Sequence, residues 1–407
     1  MNTLSAATAE TGAARVPRPG GTPLPRRAGP TFLGVGTAVP TRSYTQEEVL
    51  DFFGITDARV RSVFANSAID RRCLTLPPRD RLGRPHVETQ GELLRKHAAQ
   101  GIAMGADALR RCLTAAGLSQ DDVGYLCCVS STGLLTPGLS ALLMKELGLA
   151  VDTGRLDVVG MGCNAGLNAL NAVAGWSSAN PGRVAVMVCV EVCSAAYVID
   201  GTMRTSVVNS LFGDGAAAVA LSTGPADATG PRPGPGPGPR PGPAPRPGPR
   251  PGPRPRPGLR PGPEILKFAS HLIPEACPAM RYDWDDTAGK FSFFLDRDVP
   301  YVVGAHAETA VDRLLAGTGL RRSDLAHWVV HSGGKKVIDS VRVNLGLSRH
   351  DLRHTTGVLR DFGNVSSGSF LFSYDRLVRE GVPRPGDHGV LMTMGPGSTI
   401  ETALVRF

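Results

Sequence analysis

The chain contains one long internal repeat, and this constrains its fold more than any other feature. The segment AAGLSQDDVGYLCCVSSTG at 115–133 aligns with GTGLRRSDLAHWVVHSGG at 317–334, sharing glycine, leucine, aspartate and serine at an offset of 202 residues. At nearly the same offset, the glycine-preceded Cys163 aligns with the glycine-preceded Asn364. Such self-similarity is typical of a duplicated supersecondary unit that buries a shared core. The sequence therefore predicts two structurally equivalent halves.

Both halves have the pattern of βαβ units. A helix-like run follows Cys163 and Asn364, and each run leads through a glycine turn to an apolar segment such as 184–192. Elsewhere, helical patterns such as 94–113 alternate with short apolar runs such as 328–331. This alternation predicts an α/β layered fold.

Two segments of biased composition interrupt the pattern. Residues 1–28 are rich in Ala, Thr, Pro and Gly without periodicity, and we expect a disordered leader. Residues 231–263 hold 16 of the 34 prolines, which remove backbone donors at every other step and predict a disordered or polyproline-like insertion. The folded halves are then expected at 29–230 and 264–407. For the insertion, an SH3-type ligand or a basic tether stays open beside a tolerated low-complexity expansion.

The formal net charge of +8 lies in these segments. The insertion carries +7 and the leader +3, so the rest of the chain has a net charge of −2. A nearly neutral body gives no reason to expect nucleic-acid binding. The chain has no run of about 18 apolar residues and no signal-peptide pattern, so we expect no membrane insertion and a cytoplasmic location.

The eight cysteines form neither CxxC pairs nor a Cys/His zinc pattern, and most lie in apolar runs. These features predict free, buried cysteines, with neither disulfides nor a metal site. Cys163 differs because GMGCNAGLNAL surrounds it with glycines at the start of a helical pattern. The helix dipole, free N–H groups and a neighbouring histidine would favour a thiolate there, which makes Cys163 the candidate nucleophile.

Two neutral hydrogen-bond donors complete the candidate site. His331 ends an apolar run just before Gly333 and Gly334, where backbone or substrate can approach closely, and Asn364 lies in DFGNVSSGSF. A decarboxylated malonyl thioester leaves an enolate, whose oxygen needs donors that are not strong acids. A histidine and an asparagine beside a cysteine suit that reaction.

A duplicated α/β core with Cys in one half and Asn at the equivalent place in the other resembles the thiolase superfamily. The motifs GMGCNAGLNAL, HSGGKKVIDS and DFGNVSSGSF resemble those of its chalcone synthase-like members, the type III polyketide synthases. The resemblance covers nearly all of 32–407 except the insertion. It implies a thiolase-like fold with two βαβ-rich halves in α-β-α-β-α layers, and Cys163, His331 and Asn364 as catalytic residues.

The same resemblance implies an acyltransferase that consumes malonyl-CoA and uses no cofactor beyond its CoA thioester substrates. It also implies a homodimer in which the loop at 136–138 approaches the partner's cavity.

Further residues carry implied roles. By their positions in LFGDGAAAVAL and FSFFLDRDVPY, Phe212 and Phe293 resemble the family's gatekeepers of the substrate cavity, although either could be ordinary core. The cavity-shaping loop of the family resembles MGPGSTIETAL, with Gly395, Pro396 and Gly397, where the alternative is a simple turn.

The contacts to CoA are less defined by the sequence. Arg59 aligns with one basic residue that grips the CoA phosphates in plant members, whereas Ser62 and Asn66 occupy the other two places. A glycine-rich cationic loop suits pantetheine and phosphate, although a solvated lysine pair is the alternative. The candidates in this loop are Gly333, Gly334 and Lys336.

Three stretches resemble one bacterial branch of the family: SAAYVIDGTMRTSVVNSLFGDG, HSGGKKVIDS in place of a proline-containing HPGG, and MRYDWD at 280–285. This implies a malonyl starter on Cys163, three extensions by malonyl-CoA, and cyclisation of an eight-carbon tetraketide to an aromatic CoA thioester. Auxiliary enoyl-CoA hydratase-like proteins that assist dehydration are implied as partners.

Other functions are also compatible with the sequence. A different type III product, or a ketoacyl synthase III-like enzyme that takes its extender from a carrier protein, would keep the same three residues, as would a catalytically inactive, binding-only relative. A degradative thiolase is disfavoured because it needs a second cysteine near the C-terminus, and the last one here is Cys277. A papain-like protease also orders Cys, His and Asn, but the CGSCW-type signature is absent.

Overall fold

The computed structural model describes residues 29–224 and 262–407. The expectations for the leader at 1–28 and for almost all of the insertion at 231–263 concern residues outside these ranges.

Thirteen strands and ten α-helices make up the described chain. The strands are β1 (Thr31–Ala38), β2 (Ser43–Thr45), β3 (Arg71–Cys73), β4 (Val123–Ser130), β5 (Gly154–Val159), β6 (Val184–Glu191), β7 (Gly215–Ser222), β8 (Glu264–Leu272), β9 (Met280–Asp285), β10 (Lys290–Leu295), β11 (Leu325–Val330), β12 (His388–Gly395) and β13 (Thr399–Arg406). The helices are α1 (Gln46–Phe52), α2 (Ala58–Ala65), α3 (Gln90–Ala116), α4 (Leu139–Leu147), α5 (Ala165–Ala179), α6 (Met203–Leu211), α7 (Val299–Leu315), α8 (Lys335–Asn344), α9 (Arg353–Phe362) and α10 (Ser369–Glu380).

Nine strands form one sheet in the order β11-β12-β13-β8-β1-β7-β6-β4-β5. The run β4-β6-β7-β1 and the run β11-β12-β13-β8 each contain one parallel pair followed by two antiparallel pairs. The two runs meet where Thr31 pairs with Glu264. The repeat seen in the sequence is therefore a repeat of strand order and direction. It breaks down at β5, because the equivalent part of the second half forms α9.

The layers follow from the two faces of the strands. In β6, Met187 packs in one core with α5 and α10, whereas Val186 and Val188 on the other face pack in a core with α3 and α4. Val329 and Leu391 of the second run lie in the same core as Met187, so α5 and α10 are sandwiched between the runs. The outer face of the second run packs against α7 and α8. This is the predicted thiolase-like α/β fold with α-β-α-β-α layers.

Local signals set the ends of the longest helix, α3. Thr89 and Glu92 form a capping box, in which the Thr89 N–H donates to the Glu92 carboxylate at 2.8 Å. The helix ends at Gly117, whose φ of 65° suits glycine. The predicted helix at 94–113 lies inside it. No helix of residues 29–224 and 262–407 is long and apolar enough to cross a membrane.

The insertion connects two strands that flank β1. Ser222 of β7 and Glu264 of β8 both pair with Thr31, so two strand spacings, about 10 Å, separate them. The Gly262 N–H donates to the Phe32 carbonyl at 2.9 Å, and the Phe32 N–H donates to the Pro263 carbonyl at 3.1 Å. Residues 262–263, which the composition places in the insertion, therefore pair with the folded part.

Deleting residues 231–261 should leave turnover within about twofold of the full chain, because the remaining connection, eight residues long at 223–230, can span about 26 Å. Turnover and melting temperature of the two proteins test this. A matched variant with the seven arginines of the tract changed to glutamine separates the effect of the tract's charge on turnover from the effect of its length. A large loss of turnover at an unchanged melting temperature would show that the tract contacts the site or a partner.

Candidate active site

Cys163 lies in a short 3-10 turn, Gly162–Asn164, immediately before α5, where the sequence predicts a helix start. Gly162 has a φ of 73°, and a side chain there would collide with Pro396. A Cβ at Gly395 would lie 3.0 Å from the Cys163 nitrogen. The predicted cavity-shaping loop is therefore packed against the cysteine turn, and glycine is required on both sides of the contact.

Cys163 is almost enclosed, at 7% exposure, and its thiol donates to the Ser366 hydroxyl at 3.6 Å. Burial raises the pKa of Cys163 to about 12, and the hydrogen bonds that Ser366 and Asn364 can donate to the thiolate oppose this only in part. The helix start favours a thiolate at Cys163, as the sequence indicates, but burial of the sulfur opposes it. Desolvation outweighs the favourable position at the helix start.

His331 follows β11, and hydrogen bonds hold both its backbone and its ring. Its N–H donates to the Met392 carbonyl at 2.8 Å, and its ring Nδ1 is hydrogen-bonded to the Ser369 hydroxyl. Burial lowers the pKa of His331 to about 3, so the ring is neutral. A Cβ at Gly333 would lie 3.1 Å from Nε2. Glycine at 333 thus keeps the second ring nitrogen accessible.

Asn364 is positioned mainly by its backbone. Its N–H donates to the Leu211 carbonyl at 2.8 Å, and its carbonyl accepts from the Gly213 N–H at 3.0 Å. The side-chain Oδ1 accepts from the Ser366 N–H at 2.8 Å. Because the amide oxygen is occupied, the amide nitrogen remains as the donor.

Cys163 borders two cavities. The outer cavity, about 440 Å³, is also lined by His331 and Asn364, so the three residues singled out in the sequence converge on one space. The inner cavity, about 370 Å³, is lined by residues that include Ser131, Thr132, Tyr197, Tyr282 and Pro396.

Phe212 and Phe293 line both cavities, with their rings in a T-shaped contact at 5.8 Å between centroids. They therefore lie where the outer and inner cavities meet, rather than in the general core. Phe293 is carried by the separate two-stranded hairpin of β9 and β10.

Cationic residues line the outer cavity. Lys335, Lys336 and Arg297 contribute to its wall, and the Arg297 side chain is 93% exposed. Gly333 and Gly334 lie on the same wall. The sequence pointed to Lys336 and the glycines but missed Lys335 and Arg297.

Arg59 is placed differently. It is exposed on α2, one turn before Ser62, and does not line the cavity. Ser62 and Asn66, at the two aligned positions without a base, do line it. The helix is therefore at the site, but the wall that it provides is uncharged.

Arg72 is a site residue that the sequence did not reveal. It is fully buried, and its guanidinium donates to the Tyr197 hydroxyl and the Phe212 carbonyl, each at 2.7 Å. A third bond goes to Gln46 Oε1 at 2.7 Å. Arg72 thus fixes the turn that carries Phe212. Its neighbour Arg71 is exposed.

Glu191 was also missed. This fully buried carboxylate at the end of β6 accepts from the Ser131 N–H at 3.0 Å and from the Ser367 hydroxyl. Ser131 Oγ in turn accepts from the Gly162 N–H at 2.8 Å. Burial raises the pKa of Glu191 to about 7, and its negative charge contributes to the raised pKa of Cys163. An acid that ends the apolar run VAVMVCVE was the available signal.

Replacing Glu191 by glutamine should speed alkylation of Cys163 several-fold at about pH 8, where the parent carboxylate is largely ionised and opposes thiolate formation. At about pH 6, where Glu191 is mostly neutral, the two rates should converge. Mass spectrometry of iodoacetamide-labelled peptides measures both, in a Cys277→Ser background because Cys277 is exposed and the other seven cysteines are buried. Equal alkylation rates at the higher pH would contradict the electrostatic effect of Glu191 on Cys163.

All eight cysteines are free thiols. In the described parts of the chain, no three His, Cys, Asp or Glu side chains are grouped to hold a metal ion.

A layered, duplicated α/β fold with a cysteine at the start of a central helix defines the thiolase-like class of enzymes. Comparison with known proteins narrows the class. The N-terminal domain of chalcone and stilbene synthases matches residues 25–225, and the C-terminal domain of the same family matches residues 265–407. The chain belongs to the chalcone and stilbene synthase family, whose members are type III polyketide synthases.

Individual relatives agree. The chain is 62% identical to 3,5-dihydroxyphenylacetyl-CoA synthase of Streptomyces toyocaensis, over 95% of this chain and 92% of that protein. It is 61% identical to the protein of the same name from Amycolatopsis balhimycina, over 92% of both. Among solved structures, the type III polyketide synthase domain of Steely1 from Dictyostelium superposes with a TM-score of 0.77 at 26% identity, covering 93% of this chain and 99% of that domain.

Proposed function

We propose that the chain is a 3,5-dihydroxyphenylacetyl-CoA synthase, which condenses four malonyl-CoA and cyclises the tetraketide. Relatives of that name at 59–62% identity support the product. The structural observation that carries the proposal is the position of Cys163, which borders one cavity with His331 and Asn364 and a second cavity beyond the two phenylalanines.

Loading begins when the Cys163 sulfur attacks the thioester carbonyl of malonyl-CoA. Neither charged form is stable alone in the buried site, because burial raises the pKa of the thiol and lowers that of the imidazole. Transfer of the thiol proton to Nε2 of His331 instead gives a thiolate–imidazolium pair without net charge, which a buried site tolerates better. The proton then leaves with the CoA thiol.

Extension begins when a second malonyl-CoA loses CO2 and the electron pair of the broken bond moves onto the thioester oxygen. His331 Nε2–H and the Asn364 amide donate to this enolate oxygen. The Ser369 hydroxyl accepts from Nδ1–H when Nε2 takes the thiol proton during loading, and donates to Nδ1 when the ring carries its one proton on Nε2 during extension. Because the pKa of His331 is low, the ring stays neutral, and a neutral imidazole is too weak an acid to protonate the carbanion. The carbanion then attacks the acyl carbonyl on Cys163, the C–S bond to Cys163 breaks, and the extended chain remains as the thioester of the second CoA. The Cys163 sulfur takes the chain back by attacking this thioester, and CoA leaves as its thiol before the next round.

The remaining contacts follow from the two cavities. Lys335, Lys336 and Arg297 are the candidates for the CoA phosphates, and Arg59 could assist only from outside the cavity wall. The inner cavity holds the growing chain, and its volume is in the usual range for a small-molecule site.

Incubation of the pure protein with malonyl-CoA alone tests the proposal. We expect malonyl-CoA to be consumed and an aromatic CoA thioester of the expected mass to accumulate. An absolute requirement for an acyl-carrier protein would overturn it in favour of a ketoacyl synthase III-like enzyme. A pyrone or a hydrolysed chain would keep the class but reject the product.

We also propose a homodimer. Within the described chain, β5 is at the end of the sheet with one side unpaired, and Leu134 and Val159 nearby are 71% and 47% exposed. These features support an interface that includes the loop at 136–138. The auxiliary hydratase-like partners and the cytoplasmic location stay predictions.

A further inference from the structure

One face of the β9–β10 hairpin lines the inner cavity. In this antiparallel hairpin Tyr282 is directly opposite Phe293, and Met280 is directly opposite Leu295. Side chains of directly opposed residues lie on the same face of a hairpin. Met280, Tyr282 and Phe293 all line the inner cavity. The stretch MRYDWD at 280–285 therefore brings a phenol into the wall of this cavity.

The hydroxyl of Tyr282 is directed toward the cysteine end of the inner cavity. The ring of Tyr282 contacts that of Phe293 at 5.1 Å between centroids. Although the residue as a whole is 41% exposed, desolvation of its phenol raises the pKa of Tyr282. Negative charge on Cys193, Glu191 or Cys163 raises this pKa further, and such effects fall with distance. The hydroxyl therefore lies on the side of these three residues and stays protonated at neutral pH.

Four of the five hydroxyl groups that line the inner cavity are hydrogen-bonded within the described chain. The pairs are Ser131 with Gly162, Thr132 with Val192, Tyr197 with Phe212, and Ser366 with Cys163. The fifth hydroxyl, that of Tyr282, makes no hydrogen bond with a residue of 29–224 or 262–407. A phenol that lines a cavity without a protein partner is available to donate to an occupant of that cavity.

Ring closure is the step that needs such a donor. In the tetraketide, the terminal carbon becomes a carbanion when the starter carboxylate leaves as CO2. This carbanion attacks the ketone at the third carbon, counted from the thioester carbonyl, and closes a six-membered ring. The π electrons of the ketone move onto its oxygen. A hydrogen-bond donor to that oxygen therefore lowers the barrier to ring closure.

We propose that Tyr282 is a catalytic residue of ring closure, a role that rests on the proposed function. Its hydroxyl donates to the attacked ketone oxygen, transfers its proton to the alkoxide and regains a proton from solvent. The new hydroxyl group then leaves as water with a hydrogen of an adjacent carbon, and the two remaining ketones enolise to the two phenols of the product.

The same role favours the carbocycle over a pyrone. A pyrone forms when an enol oxygen of the chain attacks the thioester carbonyl and CoA leaves as its thiol. This reaction creates no alkoxide at the ketone that Tyr282 contacts. The hydroxyl of Tyr282 therefore accelerates one of the two competing ring closures and not the other.

Tyr282→Phe tests this role, because it removes the hydroxyl and keeps a ring against Phe293. We expect the rate of malonyl-CoA consumption to stay within about twofold, since Cys163, His331 and Asn364 are unchanged. The ratio of aromatic CoA thioester to pyrone should fall at least about tenfold, because loss of one donor to a developing oxyanion slows a step by about 10²- to 10³-fold. Liquid chromatography with mass detection measures both products in one reaction.

Tyr301→Phe is the matched control. Tyr301 is 66% exposed and lines neither the inner nor the outer cavity, so this variant should keep the parent ratio of products. A Tyr282→Phe protein with the parent ratio would show that the ring alone shapes the cavity, and would overturn the proposal. So would an equal loss of malonyl-CoA consumption and of aromatic product, which indicates a structural role. A parent protein that forms no aromatic CoA thioester would instead reject the proposed function, and the role of Tyr282 with it.

Discussion

Replacing Cys163 by alanine should abolish product formation from malonyl-CoA, by at least about 10⁴-fold, because no other group can hold the growing acyl chain. The thiol is the one cysteine that borders both the outer and the inner cavity. Liquid chromatography with mass detection of all CoA species measures the loss. The melting temperature should change little, since the substitution removes a single buried sulfur.

The best control is Cys193→Ala. Cys193 is 3% exposed and lines the inner cavity only, so its replacement removes an equally buried sulfur without touching the outer cavity. That variant should keep most of its turnover. Cys163→Ala should also still decarboxylate malonyl-CoA slowly to acetyl-CoA, because His331 and Asn364 are intact. Normal product from Cys163→Ala would discard the mechanism.

Replacing Asn364 by alanine should lower decarboxylation about 10²- to 10³-fold, the usual effect of removing one donor to a developing oxyanion. Asn364→Asp should lower the rate of decarboxylation further than Asn364→Ala at neutral pH, because a carboxylate would repel the enolate. The fold should survive both changes, since the backbone of Asn364 makes the bonds to Leu211 and Gly213. Acetyl-CoA formation in a Cys163→Ala background isolates this step from condensation.

His331 supplies a matched comparison. His331→Gln places an amide donor near the position of Nε2 and should retain more decarboxylation than His331→Ala. Both variants should lose the acylation of Cys163 by malonyl-CoA, because neither side chain can accept the thiol proton. If Asn364→Ala decarboxylates at the parent rate, or if His331→Gln and His331→Ala lose decarboxylation equally, the two donors do not act as proposed.

Much of the fold could be predicted because duplication leaves a signal that does not depend on burial. The offset near 202 residues aligned β4 with β11 and the Cys163 turn with the Asn364 turn, and the sheet repeats in the same way. The three converging residues were found for the same reason. Cys163 follows β5 and His331 follows β11, whereas Asn364 follows α9, and glycines mark all three positions in the sequence.

The charged interior left little signal in the sequence, apart from the acid that ends the apolar run at Glu191. Arg72 and Glu191 are fully buried, whereas the adjacent Arg71 is exposed, and nothing in the local sequence separates the two arginines. Each has a partner more than 100 positions away, Phe212 for Arg72 and Ser367 for Glu191. The effect of burial on the ionisation of Cys163 could not be predicted for the same reason. A helix start is visible in a sequence, but the desolvation that opposes it is a property of the packed fold.

The shared border of the two cavities at Cys163 has a consequence for iteration. Each new extender can arrive by the same route, from the side of His331 and Asn364, while the lengthening chain stays on the other side of the phenylalanine pair. One thiol can therefore serve every round of synthesis without a relay to a second site. We expect the space behind Phe212 and Phe293 to limit the number of rounds, so that the volume of the inner cavity sets the length of the product.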